Sequence, residues 1–392
     1  MILALAPTFI GVGFLQIVIP AWLPTIGITP FQVGLLITIQ GALVVVSSVP
    51  LGIVSDIYGR KGILILGAFT GSLGLMLYAL TTNYPYLLLA SGILGFAEGS
   101  TVSVWNALLA DLTDQSTRNR TFSYSYVMIN VASGVGLLLP GLFPFLGPAL
   151  GLSDYALHKT FLLVLGLVSF LSPGGVVALL WKHKETHNPA RKFAGFKNMG
   201  ALAKLGIVGG SIGLGAGFII PLVGTWFLLR FGVGDSYSGP VLAVSSILIG
   251  LAAFAAPWMA RSFGQLNAIM ITAGSSTIFM LSMAFVPGVN LAAALYIIRT
   301  GLMNMNGPLM DSFSMSIFPA EQRGLVSAAT NTIFRLPNSV STSFGGFLLG
   351  VGLLAYPFII ASALYVVGLT AFFAFFVASK KYANVMSSSH RN

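Results

Sequence analysis

Gly52-Ile-Val-Ser-Asp56-Ile-Tyr-Gly59-Arg60-Lys61-Gly62 is a short polar and charged stretch between two long apolar runs. Residues 31–55 lead into it and residues 63–80 lead out. A chain that has just crossed a bilayer turns here, on a hairpin too short to leave the surface. Gly59 and Gly62 permit the tight turn. Arg60 and Lys61 hold it on the positive side of the membrane. Asp56, near the helix end, is placed to accept from backbone N–H groups or from Arg60.

The composition agrees with a membrane chain. Of 392 residues, 56% are apolar and 7% charged, and the mean hydropathy is +0.91. A soluble domain carries about 25% charged residues. The 46 Gly and 19 Pro suit membrane helices, where small residues allow close packing and Pro is tolerated. Cys is absent, which excludes disulfides, thiolate metal sites and a cysteine nucleophile. The net charge of +10 sits in short loops rather than one patch, so nucleic acid is excluded as a partner. His158, His183, His187 and His390 are expected in loops or the tail, without metal-ligand spacing. No phosphate-binding Gly-x4-Gly-Lys-Ser/Thr loop exists. Neither an enzyme nor ATP drive is expected, and no cofactor.

A helix needs about 20 apolar residues to span the bilayer. Twelve segments qualify: 2–23, 30–55, 62–82, 84–110, 121–146, 160–181, 200–229, 237–259, 265–286, 289–316, 324–351 and 354–379. The first opens apolar with no basic leader region and is read as a membrane helix, not a cleavable signal. Pro50, Pro140, Pro221, Pro308 and Pro337 fall inside and are expected to kink their helices. With the N-terminus cytoplasmic, 15 of the 19 Lys and Arg fall on cytoplasmic loops or tails. The others are Lys159 and Arg230 outside, and Arg299 and Arg335 within helices. This bias predicts both termini in the cytoplasm. The polar segment 182–199 divides the chain into a bundle at 1–181 and another at 200–392, six helices in each. The halves echo one another: the loop 259–267 takes the place of the 55–62 loop and keeps Gly264, and Arg120 and Arg323 hold matching places before helices 5 and 11.

The spacing Gly-x3-Asp-x2-Gly-Arg-Lys, between a second and a third hydrophobic segment, resembles the signature loop of the major facilitator superfamily. Together with the repeat, the whole chain resembles a twelve-helix transporter of that superfamily, nearest its drug-exporter branch. The implied fold is an all-α integral membrane protein of two pseudo-symmetric six-helix bundles rocking about a central site. The resemblance implies that helices 1, 4, 7 and 10 line the cavity and helices 2, 5, 8 and 11 form the seam. It also implies a cytoplasmic gate built from Gly52, Asp56, Gly59, Arg60 and Asp111. In it, Asp56 meets the start of helix 11 near Gly324 and Arg60 pairs with Asp111, stabilising the outward-facing state. Three family patterns are altered or absent. Ser91 stands where helix 4 often has Arg, before Gly95. The helix-5 antiporter pattern is scrambled as Gly134-Val-Gly136-Leu-Leu-Leu-Pro140-Gly141, which still predicts a close helix contact and a bend. The sugar-porter motif after helix 6 is missing.

Ionisable groups at mid-membrane are costly and point to function. Glu98, Arg299 and Arg335 are three such groups. By the resemblance, Glu98 and Arg299 face the cavity from opposite halves and Arg335 lies on the seam. Glu98 is a candidate proton carrier, and the arginines are candidate binders of an anionic group. The alternative is a permanent pair that holds the halves in register. Helical spacing adds candidate lining: Trp105 with Glu98 on helix 4, Tyr126 and Asn130 on helix 5, Met303 and Asn306 with Arg299 on helix 10, and Asn331 with Arg335 on helix 11. Gln16, Gln40 and Trp226 are single candidates. The expected function is secondary active transport of a small organic solute by alternating access, coupled to protons. The solute is either a lipophilic compound that is exported or an organic anion. A passive facilitator or a membrane-embedded lipid-handling protein is the alternative. The expected setting is the plasma membrane, with the bilayer, solute and protons as partners and the chain as a monomer.

Overall fold

A computed structural model describes residues 2–114, 117–181, 198–318 and 322–378. Among these residues every regular element is helical, as hydrocarbon demands of a chain that must satisfy its backbone within each segment. The first half contains α1 (Ala6–Ala21), α2 (Pro30–Tyr58), α3 (Arg60–Leu80), α4 (Tyr84–Asp111), α5 (Arg118–Leu138), α6 (Phe143–Leu150), α7 (Asp154–Ser169) and α8 (Leu171–Leu180). The second contains α9 (Met199–Gly217), α10 (Val223–Phe231), α11 (Asp235–Phe263), α12 (Gln265–Met283), α13 (Val289–Ile317), α14 (Arg323–Gly350) and α15 (Tyr356–Phe372). Of the expected linker 182–199, all but Asn198 and Met199 lies outside the described residues. Asn198 caps α9 by accepting from the Ala201 N–H at 3.2 Å.

Nine described segments are long and apolar enough to cross a membrane. A tenth is α11, whose arms Asp235–Gly250 and Ala255–Phe263 meet at 57°. Helices α13 and α14, of 29 and 28 residues, have the length but more polar sequences. They carry Arg299, Asn304 and Asn306, and Asn331, Arg335 and Asn338.

Two of the five expected proline kinks are breaks. A 3-10 turn at Leu139–Leu142 holds Pro140 and separates α5 from α6; another at Ile220–Leu222 holds Pro221 and separates α9 from α10. Pro50, Pro308 and Pro337 sit inside helices that continue past them. The sixth expected segment begins earlier than position 160. Ser153 caps α7 by accepting from the Ala156 N–H at 3.2 Å, so Asp154, His158 and Lys159 are helical. His158, expected in a loop, is fully buried. Lys159 donates to the main-chain O of Tyr78, Ala79 and Thr81 at 3.2, 2.9 and 2.9 Å, placing a cation on the carbonyl end of α3.

The contacts of the first half recur in the second. Helix α1 packs on α5 as α9 packs on α14; α2 and α3 pack on α4 as α11 and α12 pack on α13. Across the middle, α2 meets α14 and α5 meets α11. The loop symmetry extends to single residues. Gly59 alone connects α2 to α3 at φ +107°, and Gly264 alone connects α11 to α12 at φ +77°. Only glycine takes such angles without a steric cost, which is why Gly264 is what the second loop retains. The expected close contact on helix 5 is also present, since a Cβ on Gly136 would overlap the main-chain O of Ile10 in α1.

Candidate functional site

Close contacts between the halves cluster toward one end. Thr38 donates to the Ser339 main-chain O at 2.6 Å, and Thr225 to that of Pro20 at 2.5 Å. A Cβ on Gly141 would meet Pro240 at 2.7 Å, and one on Gly224 would meet Ile17 at 3.1 Å. His158 of α7 meets Asp235 of α11 at 2.6 Å. This end, opposite the Gly52–Gly62 loop, is sealed. Below the seal the halves enclose a cavity of about 620 Å³.

One ion pair crosses the cavity. Arg335 of α14 donates through Nη1 to Oε1 of Glu98 of α4 at 2.8 Å, with their side chains 43% and 39% exposed. Among the described residues, Glu98 and Arg335 are the ionisable groups in the lining apart from Tyr296. Around them stand Gln16, Gln40, Ser245, Ser246, Thr300, Asn331 and Asn338. The remaining wall is mostly apolar, with Leu15, Ile19, Ile37, Val44, Leu94, Leu137, Leu242, Ile249 and Phe334 among its residues. Partial exposure keeps both charges hydrated, so their attraction is moderate. Asn331 spends an amide N–H on the Ser327 main-chain O at 2.9 Å.

Of the residues singled out from sequence, Gln16, Gln40, Glu98, Asn331 and Arg335 line this cavity. Arg299 does not. It is 4% exposed and donates from Nη2 to the Tyr365 hydroxyl of α15 at 2.7 Å, with its guanidinium carbon 5.7 Å from the Tyr365 ring centre. The expectation that Arg299 faces the cavity is therefore corrected: it ties α13 to α15 inside the second half. Its neighbours Tyr296 and Thr300 are on the wall instead. Successive helical residues lie about 100° apart, so anchoring the face of α13 on its charged residue rotates that face by one position. Met303 packs with the core and Asn306 is buried off the wall. Trp105 donates to Ser125 Oγ at 2.7 Å, joining α4 to α5. Trp226 is buried among Phe227, Phe231 and Phe358. Asn130 donates to the Tyr126 main-chain O at 2.8 Å, along α5 and off the wall. Ser245, Ser246, Tyr296 and Thr300 are wall residues not singled out from sequence. Ser245 with Ser246, and Tyr296 with Thr300 at i and i+4, carried the signal, but hydroxyl groups at such spacing do not rise above packing.

At the end of the Gly52–Gly62 loop, Arg60 bridges Asp56 at 3.2 Å and forms a short ion pair with Asp111. It also donates to the Ala107 main-chain O at 3.4 Å. Lys61 donates to the Leu180 main-chain O at 2.7 Å, at the carbonyl end of α8. A Cβ on Gly52 would meet Ser103 at 3.9 Å, an ordinary contact. Asp56 accepts from Arg60, within the first half.

A sequence model of the Major Facilitator Superfamily matches residues 1–342. An uncharacterized MFS-type transporter of Methanocaldococcus jannaschii is 22% identical over 360 residues, covering 87% of this chain and 88% of its own. The quinolone resistance protein NorA of Staphylococcus aureus is 26% identical over 163 residues, 42% of this chain and 40% of NorA. In fold, the chain is similar to a bacterial homolog of the human lysosomal transporter Spinster, with a TM-score of 0.75 at 14% identity over 99% of this chain and 96% of that one. With this match across most of its length, and with its helices paired about one central cavity, the chain belongs to the major facilitator superfamily and is a multi-pass membrane transporter rather than an enzyme.

Proposed function

We propose that this chain is a secondary active transporter that moves a small, largely apolar organic solute through the cavity by alternating access, with protons as the coupling ion. The observation that carries this reading is the Glu98–Arg335 pair, which joins the two halves inside the cavity. Separating the pair leaves two charges without partners, a cost that favours keeping the halves as they are. A proton on Glu98, or a charged group on the solute, relieves that cost and frees the halves to move. A permanent register pin is the competing role for the same pair, and it predicts a stability defect without a coupling defect.

The cavity also bears on the solute. With Arg299 directed to Tyr365, the wall holds one acid and one base among the described residues, and one of the two arginines read as binders of an anionic group is off it. An apolar wall around a neutralised pair suits lipophilic compounds, and similarity to NorA, named for quinolone resistance, supports export. The two halves, 1–181 and 200–392, are read as six-helix bundles joined by 182–199. This makes twelve spans, with α13 and α14 included because a cavity-facing helix need not be apolar all round. The charge bias of the loops supports cytoplasmic termini and a plasma-membrane setting, so the sealed end faces outward and the Gly52–Gly62 loop lies on the cytoplasmic side, where the cavity is read as opening. The Asp56–Arg60–Asp111 cluster then serves as the gate that docks on the second half when this end closes. One chain encloses the whole cavity, which supports a functional monomer.

The test is Glu98→Gln in proteoliposomes with a lipophilic fluorescent solute. Accumulation driven by a pH gradient is expected to be lost while counterflow is kept. Retained uphill transport would remove Glu98 from the coupling, and loss of both activities with a lowered melting temperature would favour the register pin.

A further inference from the structure

The sealed end contains a polar cluster that the cavity does not use. His158 of α7 is fully buried. Its ring stacks on Trp22, with centres 4.5 Å apart and planes 9° apart, and Phe143 of α6 stands edge-on at 4.8 Å. Both ring nitrogens face oxygen. Nδ1 lies 2.7 Å from the Asp154 main-chain O and 3.3 Å from Asp154 Oδ2. Nε2 lies 2.6 Å from Oδ2 of Asp235, the first residue of α11, whose side chain is 6% exposed.

This arrangement fixes a proton count. A main-chain carbonyl only accepts, so Nδ1 carries a hydrogen. A neutral imidazole then has a bare Nε2, which cannot bond an ionised carboxylate. The short Nε2–Asp235 contact therefore needs a second proton, on Nε2 or on the Asp235 oxygen. Either way the closed pair holds one proton more than neutral histidine with ionised aspartate. Aspartate with neutral histidine is the form expected in water at neutral pH, where free imidazole titrates near about 6.5.

His158 belongs to the first half and Asp235 to the second, so any opening of this end parts them. We infer that His158 and Asp235 form a proton-binding latch, taking one proton from solvent when this end seals and returning it when this end opens. The inference rests on the alternating-access reading above. Among the described residues, the titratable groups facing the ring are Asp154 from its own helix and Asp235 from α11. Trp22 and Phe143, which pack from the other sides, do not titrate. Lys159 is turned to the end of α3. The carboxylates of Asp154 and Asp235 both sit in the first turns of their helices, where the N-terminal dipole favours negative charge. The extra proton is thus held between the buried ring and the buried Asp235 carboxylate, while the Asp154 carboxylate, 64% exposed, adds its charge from the water side.

The sign follows from the count. The sealed conformer binds the extra proton, so acid at this face favours sealing and alkali favours opening. With a difference of one proton, the sealed-to-open ratio falls by up to tenfold per pH unit above about 6.5. The chain has no native cysteine, which allows a direct measurement. Tyr86 and Leu291, 55% and 50% exposed in the first turns of α4 and α13, are replaced by spin-labelled Cys. Their distance distribution is recorded by pulsed electron resonance in lipid nanodiscs from pH 5 to pH 9. Two populations whose ratio shifts toward the longer distance with pH are expected. The shift should vanish in His158→Gln, whose amide can still donate to Asp235, and should persist in Glu98→Gln. Melting temperatures of the variants check folding. Two populations indifferent to pH, or a shift that survives His158→Gln, would overturn the latch and leave alternating access standing. One unchanging population in all variants would overturn both.

Discussion

Neutralising either member of the Glu98–Arg335 pair should weaken the sealed conformer, and neutralising both should do little more. Two unit charges about 4 Å apart attract by about 4 kcal/mol at an effective dielectric near 20. With the side chains 39% and 43% exposed, water screens much of that, leaving about 1–2 kcal/mol. This corresponds to a five- to thirtyfold change in the conformer ratio. Leaving one partner charged is tolerable here because each charge has access to cavity water, unlike a fully buried pair, where the survivor is stranded. The assay is a double-mutant cycle of Glu98→Gln and Arg335→Gln. The ratio of sealed to open populations is read from the Tyr86–Leu291 spin-label pair at fixed pH. A coupling energy of about 1–2 kcal/mol is expected. A coupling within about 0.3 kcal/mol of zero, with each single substitution silent, would mean that the pair contributes nothing to the balance between conformers, and the proposed lock would fail.

Two further outcomes follow from the geometry. Gly59→Ala places a side chain at φ +107° and ψ 144°, a region essentially restricted to glycine, at a cost of about 1–3 kcal/mol. Gly62→Ala meets open space at an ordinary helical angle and should be silent. Equal folded yields for the two variants, measured by size-exclusion profile, would contradict the turn geometry. Arg299→Met should lower the melting temperature by removing the tie to Tyr365 while leaving solute preference unchanged, since neither end of that contact touches the cavity. A changed ranking of solutes at normal stability would return Arg299 to the binding site.

Much of the fold and part of the site were legible before any coordinates. A low content of charged residues and the recurrence of continuous apolar runs about 20 residues long point to membrane helices, since barrel strands would alternate apolar and polar residues. The Gly52–Gly62 loop marks one turn by chemistry that few other residues allow, and its partner at Gly264 survives for the same backbone reason. Glu98 and Arg335 stand out because a charge in hydrocarbon needs an explanation wherever it lies. The sequence alone therefore determined that the chain is a bundle of membrane helices, where its tight turns fall, and which helices carry a charge at membrane depth.

Tertiary structure decided which charges meet. Helical period shows which residues share a face, but the rotation of that face depends on the neighbours packed against it. So Arg299, as conspicuous in sequence as Arg335, turns to Tyr365, while Tyr296 and Thr300 take the cavity wall. Likewise His158, 77 positions from Asp235, reads as a loop residue until Ser153 extends α7 and the packing of the halves brings that helix against α11. Contacts between residues far apart in the chain depend on the docking of whole helices, and no local pattern records it.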